Sequence, residues 1–262
     1  MNNEHRTQNV GLQTTGHEPR VTRYGFSLTE VVIAIGLLAV GMLFIAGSFP
    51  VSVHFTTIAT ERTIAATVAD EAFAKIKLYG IYDPNVMYTQ TYYENAAPVP
   101  ISDTEFAYPS TVTSDPNSKR YWWSAICQRV GPSDVQVTVF VSRKVGITTT
   151  YYMRNPLLPG VLGTVNRPVA VFVSVTNGGR TDELMINDTL VPYNFINDGY
   201  TIVGDAAGQI YRVLERYPAT PDVIRLDKAW QGTLPSKVWI IPPPQTGGRY
   251  PCIGVYQKTL RF

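Results

Sequence analysis

The sequence predicts an α+β protein in which a long N-terminal helix packs on a C-terminal, antiparallel β-rich domain. Three observations predict this class. Residues 31–60 contain no Asp, Glu, Lys or Arg, and the first two thirds of this stretch are mainly apolar. Residues 61–80 carry apolar side chains at every fourth position with charges between them, as amphipathic helices do. From residue 81 onward, β-branched and alternating runs separated by Gly and Pro indicate strands and turns.

The uncharged stretch between Glu30 and Glu61 is 30 residues long. As a helix with a rise of about 1.5 Å per residue, roughly 20 apolar residues cross the hydrocarbon core of a bilayer. We therefore expect a single-pass membrane segment. Arg20 and Arg23 lie just before the apolar run, and basic residues in that position favour a cytoplasmic leader, here residues 1–25. The C-terminal domain is then expected outside the cytoplasm.

The helix is expected to continue beyond the apolar half. Apolar residues recur at intervals of four, and Gly80 with the nearby Pro84 supplies a stop signal. We predict one helix from about Phe26 to Tyr79, within a helical region 26–80. The periodic apolar residues are Ile64, Val68, Ala72 and Ile76.

A short motif at the start of the apolar run carries a family resemblance. Residues 23–30 read RYGFSLTE, and together with the apolar helix they resemble the N-terminal signal of type IV pilins and type II secretion pseudopilins. The resemblance implies that a prepilin peptidase cleaves between Gly25 and Phe26 and methylates the new N-terminus at Phe26. It also implies a pilin-like fold. The motif departs from the family pattern in having Tyr24 between the basic residue and Gly25, and in the length of its leader.

Glu30 is the unusual residue of the motif, because a carboxylate at the edge of hydrocarbon costs a few kcal/mol unless it has a partner. The resemblance implies that Glu30 acts in assembly, by meeting the N-terminal amine of Phe26 in a neighbouring subunit. The alternative is that Glu30 lies in the first turn of the helix, where a negative charge is favoured by the macrodipole.

Residues 81–262 are enough for one sizeable domain, and their pattern is that of strands. Residues 81–120 show little periodicity and are interpreted as a long connection between helix and sheet. Turn signals at 205–208 and 218–221 separate three strand candidates and predict a meander. The strand candidates are DVQVTVFVSRK at 134–144, PVAVFVSV at 168–175, YTIVGD at 200–205, QIYRVLERY at 209–217, DVIRLDKAW at 222–230 and KVWIIP at 237–242.

Histidine usage argues against several kinds of catalytic site. The three histidines, His5, His17 and His54, lie in the leader or the apolar helix. A Ser-His-Asp triad or a His-ligated zinc site is therefore unavailable to the C-terminal domain. A glycosidase-like pair of carboxylates stays open, since residues 81–262 contain 14 Asp or Glu, most of them beside turns or strand ends. No catalytic residue and no cofactor are predicted, and the chain is not expected to be an enzyme. The acidic stretches TDELMINDTL at 181–190 and NDGYTIVGDAAG at 197–208 lack the spacing of an EF-hand, so no metal site is predicted.

Charge and aromatic content give no support to nucleic-acid binding. The formal net charge is +2, which is close to balance. The aromatic run of Tyr121, Trp122 and Trp123 is expected to lie in a strand that contributes to the core or to a subunit contact.

The two cysteines, Cys127 and Cys252, lie in the part of the chain expected outside the cytoplasm, where a disulfide can persist. They are 125 residues apart, and sequence alone does not show whether their Cα atoms come within bonding reach. A Cys127–Cys252 disulfide and two separate buried thiols both remain open.

The function expected from the motif is that of a prepilin or pseudopilin: a structural subunit of a type IV pilus or type II secretion pseudopilus. Its expected partners are the prepilin peptidase, other pilin or pseudopilin subunits, the inner membrane and the assembly platform. The alternative is a membrane-anchored extracytoplasmic enzyme or ligand-binding protein that uses the same N-terminus.

Overall fold

The computed structural model describes residues 25–78, 103–110, 119–146, 148–154, 161–204 and 208–262. The chain divides into two compact units at His54 and Phe55. The second half of the helix therefore belongs to the same unit as the strands, whereas the sequence placed the start of the β-rich domain at residue 81.

The predicted long helix is confirmed: α1 runs from Leu28 to Leu78 and contains 51 residues. Pro50 lies inside it. Because proline has no N–H, the carbonyl of Ala46 lacks the usual intrahelical donor at that turn. The stop signal predicted at Gly80 lies outside the described residues.

The strands that follow are antiparallel throughout. In chain order they are β1 (Ala107–Tyr108), β2 (Tyr121–Arg129), β3 (Asp134–Arg143), β4 (Tyr151–Arg154), β5 (Leu162–Val165), β6 (Val171–Asn177), β7 (Glu183–Ile186), β8 (Thr201–Gly204), β9 (Ile210–Arg216), β10 (Val223–Leu226), β11 (Ser236–Ile240) and β12 (Cys252–Arg261). Short 3₁₀ helices at Asp103–Phe106 and Tyr193–Phe195 complete the described elements.

The second half of α1 packs on a sheet with the strand order β1-β2-β3-β12. Its buried face is made mostly of small and branched residues, which let the sheet approach the helix closely. The predicted aromatic run enters this core: Trp122 and Trp123 are buried, and the rings of Trp123 and Phe106 lie 4.8 Å apart. The buried apolar residues of the helix are Ala65, Val68, Ala69, Ala72, Phe73 and Ile76.

Among the described residues, six strands close into a barrel in the order β6-β7-β10-β9-β8-β11. The predicted meander is confirmed, since β8 pairs with β9 and β9 pairs with β10. Closure of the barrel was not predicted. The β4–β5 hairpin adds Tyr152, Met153 and Val165 to the edge of the barrel core.

The barrel is an insertion between β3 and β12, two strands that pair with each other over their whole length. The backbone N–H of Arg143 donates to the carbonyl of Pro251 at 2.8 Å, so the chain leaves the sheet and returns to it at one place. The barrel covers the sheet face that the helix does not contact, through a core that includes Ile126, Phe140 and Trp239.

Glu61 is the first buried residue of α1, although it is charged. Its carboxylate accepts hydrogen bonds from Arg143, at the end of β3, and from Arg249 at 3.0 Å, in the segment before β12. The side chain of Glu61 is only 10% exposed, and those of Arg143 and Arg249 are 26% and 51% exposed. The two ion pairs therefore hold the helix, β3 and the return of the insertion together.

We expect Glu61→Gln to destabilise the β-rich unit by about 2–3 kcal/mol, because it removes the shared partner of two arginines in a mostly buried site. Because the two arginines are partly exposed, we expect the loss of stability to lie at the lower end of the range for broken buried ion pairs. For a unit of this size the midpoint of thermal unfolding should fall by about 5–10 °C. Circular dichroism of the detergent-solubilised chain measures the change.

Glu215→Gln is the matched control, because it makes the same chemical change at an exposed position. We expect it to alter stability by no more than about 0.5 kcal/mol. Equal unfolding midpoints for the two variants would show that the Glu61 ion pairs do not stabilise the fold.

Candidate functional site

The N-terminal half of α1 exposes an unusually large apolar surface. Every residue from 25 to 57 is exposed, including Phe26 at 81% and Leu43 at 76%. Folded soluble proteins rarely expose contiguous apolar surface beyond a few hundred Å², and such surface is typical of segments that contact a membrane or another protein. The helix is long and apolar enough to cross a membrane.

The predicted processing site, Gly25–Phe26, lies just outside the helix. Residues 25–27 are non-helical, and Ser27 acts as the N-cap of α1. The Ser27 carbonyl accepts from the N–H of Glu30 at 3.0 Å, and the N–H of Thr29 lies 3.3 Å from Ser27 Oγ. The Gly25–Phe26 bond therefore lies outside the hydrogen-bonded turns of α1.

Glu30 is the acidic residue of the first turn of α1 and is exposed. Two residues separate it from Ser27, so the segment has the S-x-x-E spacing of a capping box. The helix macrodipole favours a negative charge at this position. The macrodipole therefore explains Glu30 within a single chain. It does not conflict with an additional contact between Glu30 and the N-terminal amine of another chain.

The acidic stretch at 181–190 forms β7 and ion pairs. Asp182 binds Arg225 with a 3.1 Å contact, and Asp188 pairs with Arg154. Burial raises the pKa of Asp188, but hydrogen bonds from two backbone N–H groups and the charge of Arg154 outweigh burial and lower that pKa below its usual value. Among the described residues, no group of three His, Cys, Asp or Glu side chains is placed to hold a metal ion.

The two cysteines are free thiols in the structure, so the disulfide that the sequence left open is not formed. The sheet register explains why. Cys127 pairs with Val137 on one side of β3, and Cys252 pairs with Ser142 on the other side. Five residues along a strand span about 17 Å, well beyond the roughly 7 Å limit on the Cα separation of a disulfide.

Glu61 is a residue that sequence reasoning missed. It continues the buried stripe of the helix at positions 65, 68 and 72. A charged residue on an otherwise apolar stripe could have indicated a buried ion pair. Its two partners were not predictable, because Arg143 and Arg249 are brought together only by the pairing of β3 with β12.

We expect both thiols to react slowly with alkylating reagents in the folded protein. Burial raises the pKa of Cys127 and of Cys252 to about 12, against about 8.5 for a free cysteine. A raised pKa lowers the thiolate fraction at pH 8 by roughly a thousandfold, and the rate should rise about tenfold per pH unit below 12. Alkylation followed by mass spectrometry measures this.

Cys252→Ser isolates the fully buried Cys127, and the same chain in guanidinium provides the reactive reference. Non-reducing peptide mapping tests the linkage independently. Rapid alkylation of folded Cys127 would contradict its burial, and a peptide that contains both cysteines joined would contradict the free thiols.

Comparisons of the chain with protein-family models, with curated proteins and with solved structures found no match.

Proposed function

We propose that this chain is a pilin-like structural subunit, stored in the inner membrane and assembled into a type IV pilus or type II secretion pseudopilus. The observation that carries the proposal is the combination, in one segment, of the RYGFSLTE motif with an exposed, uncharged helical half. Neither feature alone is specific. Together they provide a cleavable N-terminus and an apolar helix that remains after cleavage.

The proposed route begins in the membrane. The apolar half of α1 crosses the bilayer, with the leader in the cytoplasm and the β-rich domain on the far side. Prepilin peptidase cleaves after Gly25 and methylates Phe26. The assembly platform then transfers the apolar helix from lipid to a bundle of identical helices, where its apolar surface stays buried.

Glu30 has a physical role in this route. Cleavage creates a cationic amine on Phe26, and transfer of the helix away from headgroup water removes solvent from Glu30. A carboxylate in apolar surroundings is stabilised by an opposite charge. The amine of a neighbouring subunit supplies that charge only when the two helices are in register, which makes the pair a selector of correct assembly.

The β-rich unit supports the proposal in a general way. Its helix-on-sheet core gives the second half of α1 a fixed attachment, with buried residues at regular intervals. The inserted barrel adds surface without interrupting that core, as expected for a subunit that carries a recognition element.

We expect the mature protein, isolated from a host with an active prepilin peptidase, to start at N-methylated Phe26. Intact mass and N-terminal peptide sequencing measure this directly. Gly25→Leu should leave the precursor uncut, because a side chain at the cleavage site has no room in a peptidase that accepts glycine. Ser48→Ala is the matched control and should be processed normally.

Two results would contradict this part of the proposal. One is a mature chain that begins at Met1 or after Ser48, which would support an ordinary anchor or a secretory signal. The other is normal processing of the Gly25→Leu variant. Either would favour a membrane-anchored extracytoplasmic enzyme or binding protein.

Glu30→Val should leave membrane insertion intact and reduce incorporation into filaments at least tenfold, since loss of one charge pair in apolar surroundings costs more than about 1.4 kcal/mol. Thr29→Val is the matched control, because it makes a similar change of polarity at the adjacent residue. Sheared filament fractions, compared with membrane fractions by immunoblot, measure incorporation. Equal yields from both variants would limit Glu30 to its role in the first helical turn.

A further inference from the structure

The β-rich unit carries a cluster of arginines at the end where α1 begins to pack on the sheet. Glu61 is the first buried residue of the helix. The residues around it therefore lie where the helix begins to contact the sheet. Arg143 and Arg249 bind Glu61. We call Arg62, Arg120, Arg143 and Arg249 the basic collar.

Backbone contacts place the members of the collar together. The N–H of Lys144, next to Arg143, donates to the carbonyl of Arg120 at 2.8 Å. The N–H of Arg143 itself donates to the carbonyl of Pro251, two residues from Arg249. Arg62 follows Glu61 along the helix. The four members, from four separate chain segments, therefore lie near the same end of the sheet.

The collar keeps excess positive charge. Arg143 and Arg249 share Glu61 as their acidic partner. The four arginines and Glu61 together therefore carry four positive charges and one negative charge. Arg62 and Arg120 are exposed and have no ion pair among the described residues. Arg249 is half exposed even while it is bound to Glu61. Charge remains available to an external anion.

The length of the helix relates the collar to the membrane. About 20 of the 30 uncharged residues before Glu61 are needed to cross hydrocarbon, which leaves about ten residues, or roughly 15 Å of helix. The headgroup layer is about 5–8 Å thick on each side, and the Debye length adds about 8 Å at physiological salt. This spacing along the chain is short enough for the collar to reach lipid phosphates.

We propose that the basic collar docks on anionic phospholipid headgroups at the extracytoplasmic face of the membrane that α1 spans. Guanidinium groups bind phosphate oxygens with charge-assisted, often bidentate hydrogen bonds. Docking holds the β-rich unit against the membrane while the subunit is stored. Extraction of the helix from the bilayer then requires these contacts to be released. The proposal depends on the proposed membrane anchoring and not on filament assembly.

The test uses the full chain reconstituted in lipid nanodiscs, with phosphatidylcholine alone or mixed with phosphatidylglycerol. Amide hydrogen exchange of the exposed segment 245–249, beside the collar, reports docking. One arginine near an anionic surface contributes about 1 kcal/mol, a factor of about five. We expect exchange in this segment to be at least about fivefold slower in the anionic discs, and the difference to disappear at 1 M salt, where the Debye length is about 3 Å.

Arg62→Gln with Arg120→Gln should remove most of the lipid-dependent slowing, and it leaves both Glu61 ion pairs in place. Arg180→Gln with Arg212→Gln makes the same change of charge at exposed barrel positions and should keep the slowing. Unchanged exchange of the barrel core around Val173 shows that a variant is folded. If the double collar variant unfolds, the lipid and salt dependence of the unaltered chain decides the proposal.

The outcomes separate membrane anchoring by α1 from lipid docking by the collar. A chain that does not enter nanodiscs would overturn membrane anchoring, and the collar's role with it. A chain that enters them but exchanges equally in both lipids would overturn the collar alone. Slowing that is independent of lipid charge and grows with the number of copies per disc would point to protein contact between copies, and would also overturn lipid docking.

Discussion

One helix has to be stable in two different surroundings, and the rest of the molecule depends on how it meets that constraint. Its first half exposes apolar side chains all round, without a charge between Glu30 and Glu61. Its second half hides one face against a sheet and exposes the other. A uniformly apolar helix would aggregate outside a membrane, and a uniformly amphipathic one would not enter lipid. The change of pattern along a single helix is therefore the central feature of the sequence.

Glu61 is placed where that change occurs. Its carboxylate is mostly buried, which is costly unless the charge is paired. The two arginines that pair with it flank the barrel insertion, Arg143 just before it and Arg249 just before the return to β12. One side chain of the helix thus binds both ends of a large insertion. The ion pairs define where the insertion is attached relative to the helix, in addition to any stability they contribute.

The helix and most of the long strands could be predicted from sequence because their signals are local. A four-residue period located the buried face at Val68, Ala72 and Ile76, and a run of branched residues located β6. Barrel closure could not be predicted, since it depends on β6 pairing with β11 about sixty residues later. β7 was not predicted from the sequence, because its short apolar run lies inside an acidic stretch. The cysteines remained ambiguous for the same reason: only the register of two strands on either side of β3 separates them.

The sheet explains how so large an insertion is accommodated. Residues 137–142 of β3 are buried at every position, which is typical of a strand covered on both faces. The helix covers one face and the barrel covers the other, through Phe140 and Trp239. The sheet acts as a shared wall between an N-terminal element and an inserted domain. Changes on the outer surface of the barrel are therefore separated by a packed layer from the helix, so a recognition surface can vary there while the helix-on-sheet core and the Glu61 ion pairs stay the same.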